Sequence, residues 1–178
     1  MMNNTHPFNV LKFCPRCGSD VFEKADHHSF KCGDCDFHYY VNAAAAVAAL
    51  IIDAENKLML VKRGVEPDYG KLDLPGGFVD PGESMENALK RELKEELGLE
   101  VASFEYLISA PNEYVFSDFT VFTLDFAFKV IPRSLKNLRP MDDILSYKFY
   151  SEDELNYDDI PATSIKYFVK QYFQNERN

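Results

Sequence analysis

Two groups of residues in this chain have the types and the spacing for metal chemistry. The first is Cys14-Pro-Arg-Cys17 and Cys32-Gly-Asp-Cys35, two C-x-x-C pairs with 14 residues between them. Four thiolates complete a tetrahedral Zn²⁺ shell and leave no open position, so the expected site is structural. The competing readings are two disulfides, which need an oxidising compartment, and redox-active pairs, which should open a helix after a strand; no such pattern is present here. His27, His28 and His38 read as surface or packing residues, because four sulfurs already fill the shell.

The second group is acidic. Residues 84–97 read as one helix, with Ser84 as its N-cap and Gly98 as its left-handed stop. At about 100° per residue from Leu89, an apolar arc runs through Met85 at about −40°, Leu93 at about +40° and Leu97 at about +80°. Glu96 at about −20° and Glu92 at about −60° fall inside that arc, and Glu95 at about −120° lies at its edge. Carboxylates four residues apart on a buried face repel each other. Arg91, four residues before Glu95, offsets part of the charge but cannot serve three carboxylates on different bearings. Clustered hard oxygens suit Mg²⁺ or Mn²⁺. The plain alternative is a partly exposed acidic helix.

The elements that must position these residues form a mixed α/β pattern without internal repeats. Residues 43–52 and 58–62 flank the turn-rich quartet 53–56 and read as a hairpin. A short strand at 72–74 runs into Pro75-Gly76-Gly77, a turn or loop. Further strands are expected at 101–108, 116–130 and 146–150. In the second of these, Phe122, Leu124, Phe126 and Phe128 make one heavily apolar face, alternating with Thr123, Asp125 and Ala127. Pro161 opens a last helix whose Ile165, Phe168, Val169, Tyr172 and Phe173 recur at core spacing.

The glycine-rich loop 74–83 feeds the acidic helix at its N-terminus, where backbone amides can meet phosphate oxygens. Loop and helix together read Gly77-x5-Glu83-x7-Arg91-Glu92-Leu93-x-Glu95-Glu96-x-Gly98-Leu99, which is the full Nudix box. On these residues the chain resembles a Nudix hydrolase. The resemblance implies an α/β (α+β) fold, an α/β/α sandwich with a mixed β-sheet, here preceded by a small zinc ribbon. It implies a ribbon at residues 1–40, a Nudix domain at 41–178, and hydrolysis of a nucleoside diphosphate linked to another moiety. It also implies that Glu92 and Glu96 bind catalytic Mg²⁺ or Mn²⁺, that Glu95 assists or ligates, and that the Gly76 carbonyl contributes a ligand. Gly77, Glu83, Arg91 and Gly98 would hold the box together.

A zinc ribbon directly before the box narrows the likeness to the NADH pyrophosphatase group. Tyr39-Tyr40 stands where that group has an aromatic pair after the last zinc cysteine, and the second tyrosine would touch substrate. The group's S-Q-P-W-P-F-P-Q-S signature is echoed by Ser109-Ala-Pro-Asn-Glu-Tyr-Val-Phe-Ser117, with Ser109, Pro111 and Ser117 matching and Tyr114 in an aromatic position. Asn112 replaces the tryptophan, and the chain has no Trp. This segment is expected to be a loop that stacks a base on Tyr114 or Phe116. Asp143 is the candidate for a further metal carboxylate, and Lys166 replaces a small substrate-contacting residue in the last helix. The likeness favours a homodimer.

Composition bounds the partners. At 178 residues, 46% hydrophobic and net charge −10, the chain can bury a core but presents no basic surface for polyanions. Residues 1–40 balance Lys12, Arg16, Lys24 and Lys31 against Asp20, Glu23, Asp26, Asp34 and Asp36, so no extended nucleic-acid surface is expected. The longest apolar run, 43–52, is too short for a bilayer, and no secretory signal is visible, so the expected setting is cytoplasmic. The substrate expected is a nucleotide small molecule, an NADH/NAD-like dinucleotide or an ADP-ribose-like nucleotide sugar, cleaved to release a nucleoside monophosphate. The rivals are a nucleoside triphosphate or RNA-cap housecleaning hydrolase, and a non-catalytic Nudix-like ligand sensor or scaffold.

Overall fold

The computed structural model describes residues 4–176. The chain divides into two compact units, Met1–Ala43 with Glu113–Phe122, and Ala44–Asn112 with Thr123–Asn178. The first holds a short helix, α1 (Pro7–Val10), and an antiparallel sheet of β1 (Phe22–Lys24), β2 (Ser29–Cys32) and β3 (His38–Tyr40) in that order. Its small core is Cys14, Phe22, Phe30 and Cys32, with the Phe22 and Phe30 rings stacked at 4.8 Å.

The second unit is built on β4 (Ala44–Ile51), β5 (Leu58–Arg63), β6 (Leu72–Asp73), α2 (Met85–Leu97), β7 (Val101–Phe116), β8 (Phe119–Pro132), β9 (Ile144–Tyr150) and α3 (Thr163–Asn175). The tip of the β7–β8 hairpin is the part that groups with the first unit. One sheet has the order β4-β8-β7, with β4 and β8 parallel; the other is β6-β5-β9, antiparallel throughout. Side chains alternate across β4. Val47, Ala49 and Ile51 pack with Ala88, Leu89, Leu93 and Leu97 of α2. Ala48 and Leu50 pack with Ile165, Phe168 and Val169 of α3. Helices therefore cover both faces, the α/β/α arrangement expected, and β4 reads as a continuous apolar run because neither face meets water.

Two expectations are corrected. The hairpin at 43–62 is not a ladder: among the described residues the bridge between the two segments is Ile52–Leu58, just after β4, and β4 and β5 belong to different sheets. The turn itself is present, with the Asp53 side chain accepting from the amides of Glu55 and Lys57. The segment 109–117, expected as a loop, is the end of the 16-residue strand β7, and the turn falls at Ser117-Asp118, both at positive φ as a type I′ hairpin requires. Pro111 is tolerated there because β7 is an edge strand with no ladder partner on one side. The apolar face of β8 packs Phe126 and Phe128 into the core shared with α2, with Leu124 alone of its four exposed, and the opposite face, carrying Thr123, Asp125 and Ala127, is buried as well.

Candidate functional site

Helix α2 begins and ends as its residues dictate. The Ser84 side chain accepts from the Asn87 amide, and Gly98, at φ 64°, turns its N–H back to the carbonyls of Leu93 and Lys94. Burial follows the wheel: Glu96 is buried at 7% exposure, Glu92 is half-buried and Glu95 is exposed.

The loop before α2 lies against β4. Val47 donates to the Gly77 carbonyl at 2.9 Å and Ala49 to the Pro75 carbonyl at 2.8 Å, while the Gly76 N–H is given to Glu96 Oε2 at 2.9 Å. Gly76 sits at φ 139°, and a Cβ there would lie 2.1 Å from the Val47 carbonyl oxygen; a Cβ at Gly77 would lie 2.6 Å from Glu92 Oε1. Gly76 is thus required by its close approach to the strand backbone, whereas at Gly77 the near neighbour is the movable end of a box carboxylate.

Arg91 ties the box together. Its guanidinium donates to both Glu83 oxygens at 3.1 and 2.8 Å, to Glu92 Oε1 at 2.8 Å, to Glu95 Oε2 at 3.2 Å and to the Phe78 carbonyl at 3.0 Å. The fork geometry of arginine allows this sharing, and lysine could not reproduce it. The Arg91 bonds hold the Glu83 carboxyl below its usual range. Burial raises Glu92, against the Arg91 bond, and Glu95 and Asp142 add to the rise. Glu96 is pushed up to about 9, first by burial and then by Glu92, Asp73 and Asp142, with only the Gly76 amide opposing. No ion pair reaches Glu96 among the described residues.

A buried carboxylate among like charges fits a divalent cation, which would supply the missing counter-charge. Among the described residues, however, no three box carboxylates lie within 4.8 Å of one another, because Glu92 leans on Arg91. The sulfurs of Cys14, Cys17, Cys32 and Cys35 do lie that close, with Cys14–Cys35 at 3.8 Å and Cys17–Cys32 at 3.7 Å. A tetrahedral site with Zn–S bonds of about 2.3 Å has edges of about 3.8 Å, so the cluster is compatible with zinc.

The remaining candidates are dispersed. Tyr40 on β3 is exposed, its ring 4.5 Å from that of His38. Ser109, Pro111 and Tyr114 lie on β7 and Ser117 in its turn. Tyr114 and Phe116 face each other at 6.4 Å with an interplanar angle of 11°. Asp143 is exposed and gives its carbonyl to the Gly64 amide at 2.6 Å; its neighbour Asp142 is the acid whose charge bears on Glu92 and Glu96. Asp142 has a weak signal, being one of two adjacent acids. Asp73 has a clearer one: it directly precedes Leu74-Pro-Gly-Gly, and it is half-buried, paired with Arg63 at 2.9 Å.

Residues 42–171 match the family model for the NUDIX domain. The chain belongs to the Nudix family. This Nudix chain is 44% identical over 107 residues to the ADP-ribose pyrophosphatase of Methanocaldococcus jannaschii, covering 59% of each protein. It is 26% identical over 176 residues to a NAD-capped RNA hydrolase, NudC, of Vibrio vulnificus, covering 97% of this chain and 63% of that one. It spans less than two thirds of the length of these curated relatives. In fold it is similar to a NUDIX hydrolase from Nitrosomonas europaea, with TM-score 0.67 and 24% identity over 94% of this chain and 93% of that one. No helix among the described residues is long and apolar enough to cross a membrane.

Proposed function

We propose that this Nudix chain is a pyrophosphohydrolase dependent on Mg²⁺ or Mn²⁺. It would cleave the diphosphate of an NADH/NAD-like dinucleotide or an ADP-ribose-like nucleotide sugar and release a nucleoside monophosphate. The observation that carries this reading is Glu96: a carboxylate buried at 7% exposure, facing Glu92, Asp73 and Asp142, beside a glycine loop that only close backbone approach explains.

Glu92 and Glu96 would hold the metal, with Glu95, the Gly76 carbonyl and an acid of the Asp142-Asp143 pair beside them. A divalent cation bound there neutralises diphosphate charge and lowers the pKa of a coordinated water. Arg91 keeps Glu92 and Glu95 oriented while Glu83 holds Arg91. Gly77, having no side chain, leaves the Glu92 carboxylate its place. The four cysteines would bind structural Zn²⁺ in the N-terminal ribbon, whose Tyr40 we take as a substrate contact together with Ser109, Pro111, Tyr114 and Ser117.

A NAD-capped 5′ end of RNA is the second reading, favoured by the likeness to a NAD-capped RNA hydrolase along 97% of the chain. A hydrolysis screen of NADH, NAD, ADP-ribose, diadenosine polyphosphates, nucleoside triphosphates and a short NAD-capped RNA, with each metal, tests both. Turnover of a dinucleotide or ADP-ribose, lost in Glu92→Gln and Glu96→Gln, is expected. Undiminished turnover in both variants, or none in the wild type, would overturn the assignment.

A further inference from the structure

Among the described residues, two side-chain oxygens of the second unit are buried without a partner, Thr123 Oγ1 and Asp125 Oδ1. Thr123 is 4% exposed and Asp125 is 6% exposed. They stand two residues apart on β8 and so share one face. Native proteins rarely leave such atoms unpaired, and two on one face call for a partner, either an ordered water or an atom of a ligand.

The surroundings make the pair a receptor. The other Asp125 oxygen, Oδ2, accepts from the Ser164 hydroxyl in the first turn of α3, so Oδ1 is the free end of a fixed carboxylate. The register partners of Thr123 and Asp125 on β4 are Ala44 and Ala46, whose methyl groups cannot hydrogen-bond and which are only half-buried. Helix α3 packs over Ala48, Leu50 and Ala127 and starts at Thr163, so its body stops at the level of Asp125. The charge of Asp125 bears on Asp73, and that of Asp73 on Glu96.

We propose that Thr123 and Asp125 read the nucleoside of the substrate, Asp125 Oδ1 accepting from an N–H or O–H donor and the Thr123 hydroxyl pairing with the atom beside it. A carboxylate next to a hydroxyl complements a donor next to an acceptor, as on the amino edge of adenine; ribose hydroxyls are the other source of that chemistry. The inference rests on the nucleotide-hydrolase reading above.

The test is equilibrium binding of AMP, IMP, 2′-deoxy-AMP and 3′-deoxy-AMP in EDTA, with kcat and KM for ADP-ribose and thermal unfolding measured in parallel. The wild type is expected to prefer AMP over IMP by about tenfold or more. In Asp125→Asn, the Ser164 hydroxyl keeps the amide oxygen and turns the amide N–H₂ to the free side, so a donor replaces an acceptor and the preference shifts toward IMP. Thr123→Val is expected to weaken AMP binding and raise KM more than it lowers kcat. Its ligand-free unfolding temperature should hold or rise, because an unpaired buried hydroxyl has been removed.

Affinity lost for the deoxynucleotides but not for IMP would support the pair as reader and assign the donor to ribose. Equal binding of all four nucleotides by the wild type, or unchanged ratios in both variants, would overturn the proposal. A fall in the unfolding temperature of Thr123→Val with ratios intact would overturn it too, in favour of a buried water. Discrimination without hydrolysis of any substrate in the screen above would instead defeat the pyrophosphohydrolase reading alone.

Discussion

The cysteine cluster and the acidic helix hold their ligands in opposite states. The paired sulfurs stand 3.7 and 3.8 Å apart, at tetrahedral spacing before any ion is considered. The box carboxylates do not converge as three: one Arg91 nitrogen holds both Glu92 and Glu95, and the Gly76 amide holds Glu96. A structural ion needs a closed shell supplied by the chain alone. A catalytic Mg²⁺ or Mn²⁺ is bound through a few carboxylates together with substrate phosphates, so half of its shell arrives with the substrate. The largest expected effect follows: Cys32→Ser should abolish zinc binding and unfold the N-terminal unit, since structural zinc contributes about 10–16 kcal/mol in small modules. Metal analysis and hydrogen exchange would read this directly, and full zinc content in the variant would remove the contrast.

For the box, Glu96→Gln should lower kcat/KM by more than about 100-fold, beyond the 10–100-fold that outer-shell partners cost. The same variant should be more stable without metal above pH 4.5, because glutamine is neutral folded and unfolded and the fold no longer has to hold a proton that the unfolded carboxyl gives up. Glu96 is raised in the fold from 4.5 to about 9, chiefly by burial. Its proton is therefore bound more tightly folded than unfolded, and the stability this gives is complete below pH 4.5 and drains away as pH rises to about 9. The unfolding temperature in EDTA should fall across that window. Added Mg²⁺ should flatten the fall, and so should Glu96→Gln; the same slope in the variant would show that another group titrates there.

The acidic helix was legible because cap, stop and wheel are local: Ser84, Gly98 and the depth order of Glu96, Glu92 and Glu95 all follow from spacing. What depended on partners distant in sequence was not. Nothing in the run 109–117 announces that its proline lies on a sheet edge, so a strand looked like a loop. The alternation along β8 marked two faces without saying that α3 would pack over Ala127 and bond Asp125 through Ser164 in its first turn. Arg91 could be paired with Glu95 by helical spacing, but its hold on Glu83 and the Phe78 carbonyl needs the loop folded back along β4.

Glycines give the finest version of the comparison. At Gly77 a methyl group would meet the Glu92 carboxylate at 2.6 Å, and the end of a flexible side chain can move. Gly77→Ala should therefore cost little stability but displace Glu92, lowering kcat/KM by about tenfold and raising the metal concentration needed for half-maximal rate. Gly18, beside Cys17 in the ribbon, has φ 76° and nothing within 4 Å of an added Cβ. There the cost is backbone strain alone, about 1 kcal/mol for a non-glycine residue in the left-handed region. Gly18→Ala should shift the unfolding of the N-terminal unit slightly while zinc stoichiometry and kcat/KM hold, because the Cys14 carbonyl and the Gly18 amide, paired at 2.8 Å, need no side chain at this position. Loss of zinc in Gly18→Ala would mean that the sulfur spacing depends on this turn and is less firmly built into the module than the distances between the cysteines imply.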